Sequence, residues 1–197
     1  MSSKNKDTRT RILEVTWHLM EQQRGQGVRL ADVAAAAGVS RQAVYLHFGS
    51  RTELMIATTA YVDEVKGLND RLQQLQNITS AHELLEKSIT IWGNYIPEIY
   101  GLAKAMLSTR ETDEAIAAAW DKQMDCLRNA CQDIIDAFIR EEILTPEWTR
   151  SKAIEMLWTA LSIQNWEQLT IECGWSTSQY IEWMKTFLKH AFTKLEN

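Results

Sequence analysis

An all-α fold follows from three features of this 197-residue chain. Its two prolines, Pro97 and Pro146, stand far apart. Apolar residues recur at the three- and four-residue spacings of a helix face, and no stretch alternates apolar and polar between turn residues as a half-buried strand does. Ser or Thr stands ahead of several of these stretches with Glu or Gln three residues on, the pattern that closes a helix N-terminus. About nine helices are expected, with no internal repeat.

The first helix runs from Asp7, as its cap, to about Gln23, with Ile12, Leu13, Thr16, Leu19 and Met20 on one face and Trp17 beside them. Arg24-Gly25-Gln26-Gly27 then reads as a loop. Two short helices follow, from about Leu30 to Ala37 and from Arg41 to His47, meeting at Ala37-Gly38-Val39-Ser40. Gly38 can take the left-handed conformation that ends a helix, Val39 can fill the space between crossing helices, and Ser40 can accept from the free amides of the next. Ser50 and Glu53 have capping-box spacing at the start of a fourth helix, expected from Thr52 to about Leu75. Ser80 and Glu83 cap another, Pro97 suits the first turn of a new one, and Arg110 to Asp113 opens a long amphipathic helix ending near Glu142. Thr145-Pro146-Glu147 starts the penultimate helix, which stops near Cys173-Gly174; Ser176 with Gln179 caps the last, which runs to about Lys194.

The two short helices make a helix-turn-helix of the kind that reads DNA. In the second, Ala43, Val44 and Phe48 are placed inward, which leaves Arg41, Gln42, Tyr45 and His47 as a hydrogen-bonding outer face suited to a major groove. Arg41 can donate twice to guanine O6 and N7, and Gln42 can pair with adenine N6 and N7, each worth about 1–3 kcal/mol of discrimination. Tyr45 can lean its ring on sugars while its hydroxyl meets a phosphate, or can simply close the domain core. His47 can meet a phosphate or cap the short helix. The amide-rich helix start at Ser50, with Arg51 beside it, suits a phosphate as well. Charge agrees: residues 1–51 hold eight Lys/Arg against four Asp/Glu, a balance of +4 in a chain of net charge −5, so the remainder carries −9.

Over Asp7 to Leu54 the chain resembles the TetR family of bacterial transcriptional regulators. The resemblance lies in the stripe of the first helix, Leu30-Ala31-Asp32-Val33-Ala34, Ala37-Gly38-Val39-Ser40, Tyr45-Leu46-His47-Phe48 and Ser50-Arg51-Thr52-Glu53-Leu54. Beyond Leu54 only length and helical pattern match. The resemblance implies a three-helix DNA-binding domain over residues 1–51, extending into a connecting helix over 51–76, and a larger helical effector-binding and dimerisation domain over 52–197. It implies Arg41, Gln42 and Ala43 toward bases and Tyr45, His47 and Arg51 toward phosphates, with Arg29, Ser40 and Ser50 completing the DNA-binding set. Arg29 departs from the family, which often has Ser or Thr there; a cation can still reach a phosphate, but the cap of the second helix is lost.

One such reader contacts only a few base pairs, so a homodimer on a palindromic operator in double-stranded DNA is expected. The penultimate helix carries Met156, Leu157, Trp158, Leu161, Trp166 and Leu169, and the last carries Tyr180, Trp183, Met184, Phe187 and Leu188, more apolar surface than a thin two-helix end buries alone. The resemblance implies a four-helix dimer interface from Trp158, Leu161, Trp166, Leu169, Tyr180, Trp183, Met184, Phe187 and Leu188; the alternative is an ordinary internal core. It also places Trp92, Tyr95, Tyr100, Met106, Trp120 and Met124 around a cavity for a small-molecule effector of unknown identity, although packing residues have the same pattern. Glu86 and Glu98 are candidate partners for a cationic ligand or are solvated acids.

Neither a metal site nor a cofactor is expected. GxGxxG, P-loop, GxSxG and HExxH motifs are missing, and His18, His47, His82 and His190 stand far apart, so an enzyme is not expected. Cys126, Cys131 and Cys173 are odd in number without metal-ligand spacing and read as reduced thiols. No apolar run approaches the roughly 20 residues a membrane span needs, and the polar, basic start MSSKNKDTRTR does not resemble a secretory signal, so a cytoplasmic, nucleoid-associated location is expected without membrane contact. The expectation is a repressor released from its operator by an effector. Two alternatives stand beside it: a DNA-binding architectural or division-linked protein without small-molecule control, and a helical adaptor that no longer binds DNA.

Overall fold

The computed structural model describes residues 7–23 and 28–193. Among them ten α-helices follow in order: α1 Thr8–Gln23, α2 Leu30–Ala37, α3 Arg41–Phe48, α4 Arg51–Val65, α5 Leu68–Gln73, α6 Ala81–Thr109, α7 Glu114–Arg140, α8 Arg150–Ala160, α9 Ile163–Glu167 and α10 Thr177–Phe192. A π-helical turn, Gln168–Glu172, joins α9 to the segment before α10, and among the described residues extended pairing is confined to an antiparallel bridge between Leu144 and Thr193. The expected loop Arg24 to Gly27 and the expected helix end at Lys194 lie outside the described residues.

Three expectations give way to packing. The fourth helix ends at Val65, because Gly67 turns left-handed at φ 63° and the chain restarts as the short α5, which buries none of its residues. Pro97 does not begin a helix; it lies inside α6. A mid-helix proline costs about 3 kcal/mol through its missing amide and its ring. Here Pro97 is exposed while Tyr95, Ile96 and Tyr100 beside it are buried, so the apolar face carries the helix through. The penultimate helix starts at Arg150 and not at Pro146, since Thr149 caps it, and the preceding residues bind the chain's end: the Thr145 amide donates to the Phe192 carbonyl and Trp148 Nε1 to that of Ala191. It also stops early, at Ala160, where Ser162 accepts from the Asn165 amide and begins α9.

The chain forms two compact units, one comprising the residues up to Gly67 together with Ile99–Lys122, the other Leu68–Glu98 together with the residues from Gln123 on. In the first, Ile12, Leu13, Met20, Val33, Val44, Phe48, Leu54 and Val62 form the buried centre. Buried Thr16 and Thr58 donate to carbonyls four residues back, which satisfies their hydroxyls inside the helix. Glu21 of α1 accepts from the Gly101 and Leu102 amides of α6 at 3.2 and 3.3 Å. Gly101 permits this approach: a Cβ there would lie 2.5 Å from the Glu21 Cα.

In the second unit Gly93 of α6 does the same for α10, a Cβ there falling 2.5 Å from Ile181 Cγ1. Trp92 Nε1 donates to the Leu161 carbonyl at 2.6 Å, and Arg71 pairs with Glu98 at 2.8 Å while its guanidinium lies over the Tyr95 ring. Burial pushes the Cys131 thiol up to about 12, so it stays protonated, whereas Cys126 and Cys173 are exposed thiols.

Candidate nucleic-acid interface

Local chemistry builds the turn. Gly38 ends α2 at φ 64° and ψ 37°, a left-handed conformation that would strain any residue bearing a Cβ. Ser40 then caps α3, its Oγ accepting from the Ala43 amide at 3.1 Å. At the start of α2 the Arg29 side chain makes no cap; the Arg29 carbonyl accepts from the Asp32 and Val33 amides, and the guanidine is left exposed to solvent.

On α3 the pattern is a buried pair beneath an exposed face. Val44 and Phe48 are buried, and Arg9 of α1 lies over the Phe48 ring at 5.1 Å. Arg41, Gln42, Tyr45 and His47 are all exposed, Tyr45 at 45%. Ala43, placed inward by the sequence, is only half-buried. Leu46, to which the sequence pattern assigned no role, is 82% exposed. The signal for it was present: it stands midway between the two buried residues, two positions from each, and at about 100° per residue this is the direction opposite to them.

Behind α3, Ser50 caps α4 by accepting from the Glu53 amide at 3.0 Å. Arg51 has a partner already, its Nε donating to the Val28 carbonyl at 2.9 Å and so tying the start of α4 to the chain just before α2. Thr52 donates to Asp113, which also caps α7 through the Ala115 and Ile116 amides. These bonds, with the Thr52 hydroxyl foremost, hold the Asp113 carboxyl below its ordinary range. The residues expected to bind DNA thus gather in one unit, with exposed basic and amide groups at Arg29, Arg41 and Gln42.

The expected effector contacts divide between the units. Trp92, Tyr95 and Met124 belong to the second and Tyr100, Met106 and Trp120 to the first. Tyr95, Tyr100, Met106 and Trp120 are buried, and the Met106 sulfur accepts from the Thr59 hydroxyl at 3.3 Å. The expected interface residues divide by burial. Leu161, Trp166, Tyr180, Met184 and Leu188 are buried within their own chain. Tyr180 faces α6, its ring 3.4 Å from where a Cβ on Gly93 would lie. Trp183 at 59% and Phe187 at 50% are exposed, and Trp158 and Leu169 are partly so. Trp183 and Phe187 rim an open apolar depression of about 240 Å³ with Leu169, Trp175 and Met184.

Residues 12–58 match the model of the bacterial regulatory proteins of the tetR family. A chain from Saccharomonospora viridis, solved in complex with choline, superposes with a TM-score of 0.81 at 16% identity, over 95% of this chain and 98% of that one. The transcriptional regulator FadR from Bacillus subtilis, in complex with stearoyl-CoA, does so with a TM-score of 0.72 at 14% identity, over 91% and 96%. In sequence, the nucleoid occlusion factor SlmA of Marinomonas sp. (strain MWYL1) is 26% identical over 115 residues, which span 57% of this chain and 58% of that protein.

Proposed function

We propose, on the match of residues 12–58 to the model of bacterial regulatory proteins of the tetR family, a homodimeric repressor that reads a palindromic operator and leaves it when a small molecule binds. The observation that carries this reading is the exposed face of α3, seated on a buried pair and entered through a left-handed glycine and a serine cap. Its parts are a DNA-binding domain over residues 1–51, a connecting helix, and an effector and dimerisation domain over 52–197. Gln42 and Arg41 read base edges. Arg29, Tyr45, His47 and Arg51 hold phosphates, with the helix starts at Ser40 and Ser50 offering backbone amides.

The dimer contact is the exposed apolar face around Trp183 and Phe187, with Leu169 and Trp158 at its margin. Apolar residues of this size on one face, rimming a depression, are what a second copy covers. Trp92, Tyr95, Tyr100, Met106, Trp120 and Met124 are the proposed effector contacts. Complexes with choline and stearoyl-CoA among chains of the same fold support a small-molecule ligand and leave its class open. The family is one of regulators, and among the described residues no group of His, Cys, Asp and Glu could hold a metal ion. No described helix is long and apolar enough to cross a membrane.

A second reading is favoured by one observation, the partial likeness to a nucleoid occlusion factor: a division-linked DNA binder with no small-molecule control. Affinity selection from a random duplex pool, followed by an effector screen on the recovered site, separates the two. An inverted repeat released by a ligand supports the repressor. An inverted repeat that no ligand releases supports the division-linked binder, and recovery of no site overturns both.

A further inference from the structure

We infer that Leu46 is a base-reading residue that recognises the 5-methyl group of a thymine in each operator half-site. The inference rests on the reading of α3 as the recognition helix. Leu46 lies on the side of that helix opposite buried Val44 and Phe48 and is 82% exposed, so it adds nothing to the core beneath it. Turning by about 100° per residue puts Gln42 and Ala43 on either side of it. Arg41 and Tyr45, four residues apart, share one flank of the helix, and Ala43 and His47 share the other. Leu46 is therefore an apolar group at the centre of the face, with Gln42 beside it and the other polar groups on the flanks.

The chemistry of the groove then narrows what Leu46 can meet. Base edges in the major groove present hydrogen-bond donors and acceptors, and the thymine methyl is the apolar group that protrudes among them. An isobutyl group set against any of the others would desolvate a polar atom without returning a hydrogen bond, which is unfavourable. Against a thymine methyl it removes apolar surface from water on both sides. Gln42, one turn earlier on the same side, can pair with adenine, so the face as a whole suits an A·T-containing step. Leu46 differs in this from a phosphate-holding residue: its effect is confined to one base pair and is independent of salt.

The test uses the full-length protein and the operator recovered by random-pool selection. Each thymine of the half-site is replaced in turn by uracil, which removes the methyl and leaves the pairing intact. Loss of one methyl contact predicts a several-fold weaker binding, about fourfold, at one thymine per half-site. Leu46→Ala binds the intact operator more weakly by a similar factor and no longer distinguishes thymine from uracil at that position, while its salt dependence stays that of the unsubstituted protein. Uracil tolerated at every position, or the same uracil penalty in Leu46→Ala, overturns the inference while leaving the operator and the helix-turn-helix reading intact. Failure to recover any operator counts instead against the DNA-binding reading on which it rests. Circular dichroism of Leu46→Ala guards against misfolding, which substitution at an 82% exposed position is not expected to cause.

Discussion

Arg51 shows at the level of one residue how a site can serve fold and function together. Its Nε holds the Val28 carbonyl, yet the guanidinium has further donors for a phosphate. Arg51→Lys keeps the charge and loses the fork, so it should lower stability by about 1–2 kcal/mol in denaturant unfolding, while the salt slope of DNA binding changes little. Arg51→Ala should lower both. Equal stability of Arg51→Lys and the unsubstituted protein would show the Val28 bond to be inconsequential. Asp113 offers a second case, through pH. Its carboxyl is held below the ordinary range by the Thr52 hydroxyl and the amides of α7, so its charge stabilises the fold above the usual carboxylate range. That contribution is lost as pH falls through the lowered folded value. Asp113→Asn should therefore destabilise the protein at neutral pH, with the difference in melting temperature shrinking toward pH 3. A difference that persists unchanged would mean that shape and not charge is what matters there.

Among elements, the turn between α2 and α3 is decided by two residues with separable tasks. Gly38→Ala forces a Cβ into a left-handed conformation and should cost about 1–2 kcal/mol, though the space around it is open, so strain and not collision is the cause. Ser40→Ala frees the Ala43 amide and should cost about 1 kcal/mol. Because the two positions are two residues apart in one turn, the departure of the double variant from the sum in urea unfolding measures their coupling. A double variant no worse than Gly38→Ala alone would mean that the strained turn has already released the Ser40 cap. The longer elements carry a different lesson. α6 continues through Pro97 because one face of it is buried, and its glycines at 93 and 101 are the places where another helix comes close. Helix continuity there is a matter of tertiary burial, which outweighs local propensity.

For the whole molecule, the proposed dimer is the part of the reading on which function depends most. Trp183→Glu and Phe187→Glu place a charge on the proposed contact face without disturbing a buried residue. Each should leave helicity intact and convert the dimer to monomer in sedimentation, and operator affinity should fall by at least tenfold as the second half-site is lost. Leu188→Glu is the contrasting variant, since Leu188 is buried in its own chain and its substitution should unfold the C-terminal region. A dimer that survives both exposed-face substitutions would move the interface elsewhere.

Local signals make the helix pair α2 and α3 legible in the amino-acid sequence itself. A glycine that tolerates a left-handed turn, a serine that caps, and apolar residues four apart act over a few residues, so α2, α3 and the exposed set Arg41, Gln42, Tyr45 and His47 follow from composition and spacing alone. The caps at Ser50, Ser80 and Ser176 are of the same kind. Burial, by contrast, is a property of what lies across from a residue. Nothing in the order Tyr180, Trp183, Met184, Phe187 and Leu188 says which of them face their own chain, and only packing against Gly93 and the neighbouring helices divides them. The same holds for Pro97 inside α6, for the break at Ser162, and for Arg51 reaching back to Val28. Helix ends are written in short-range hydrogen bonds, whereas the division of an apolar face between core and surface is settled by long-range contacts that no local window contains.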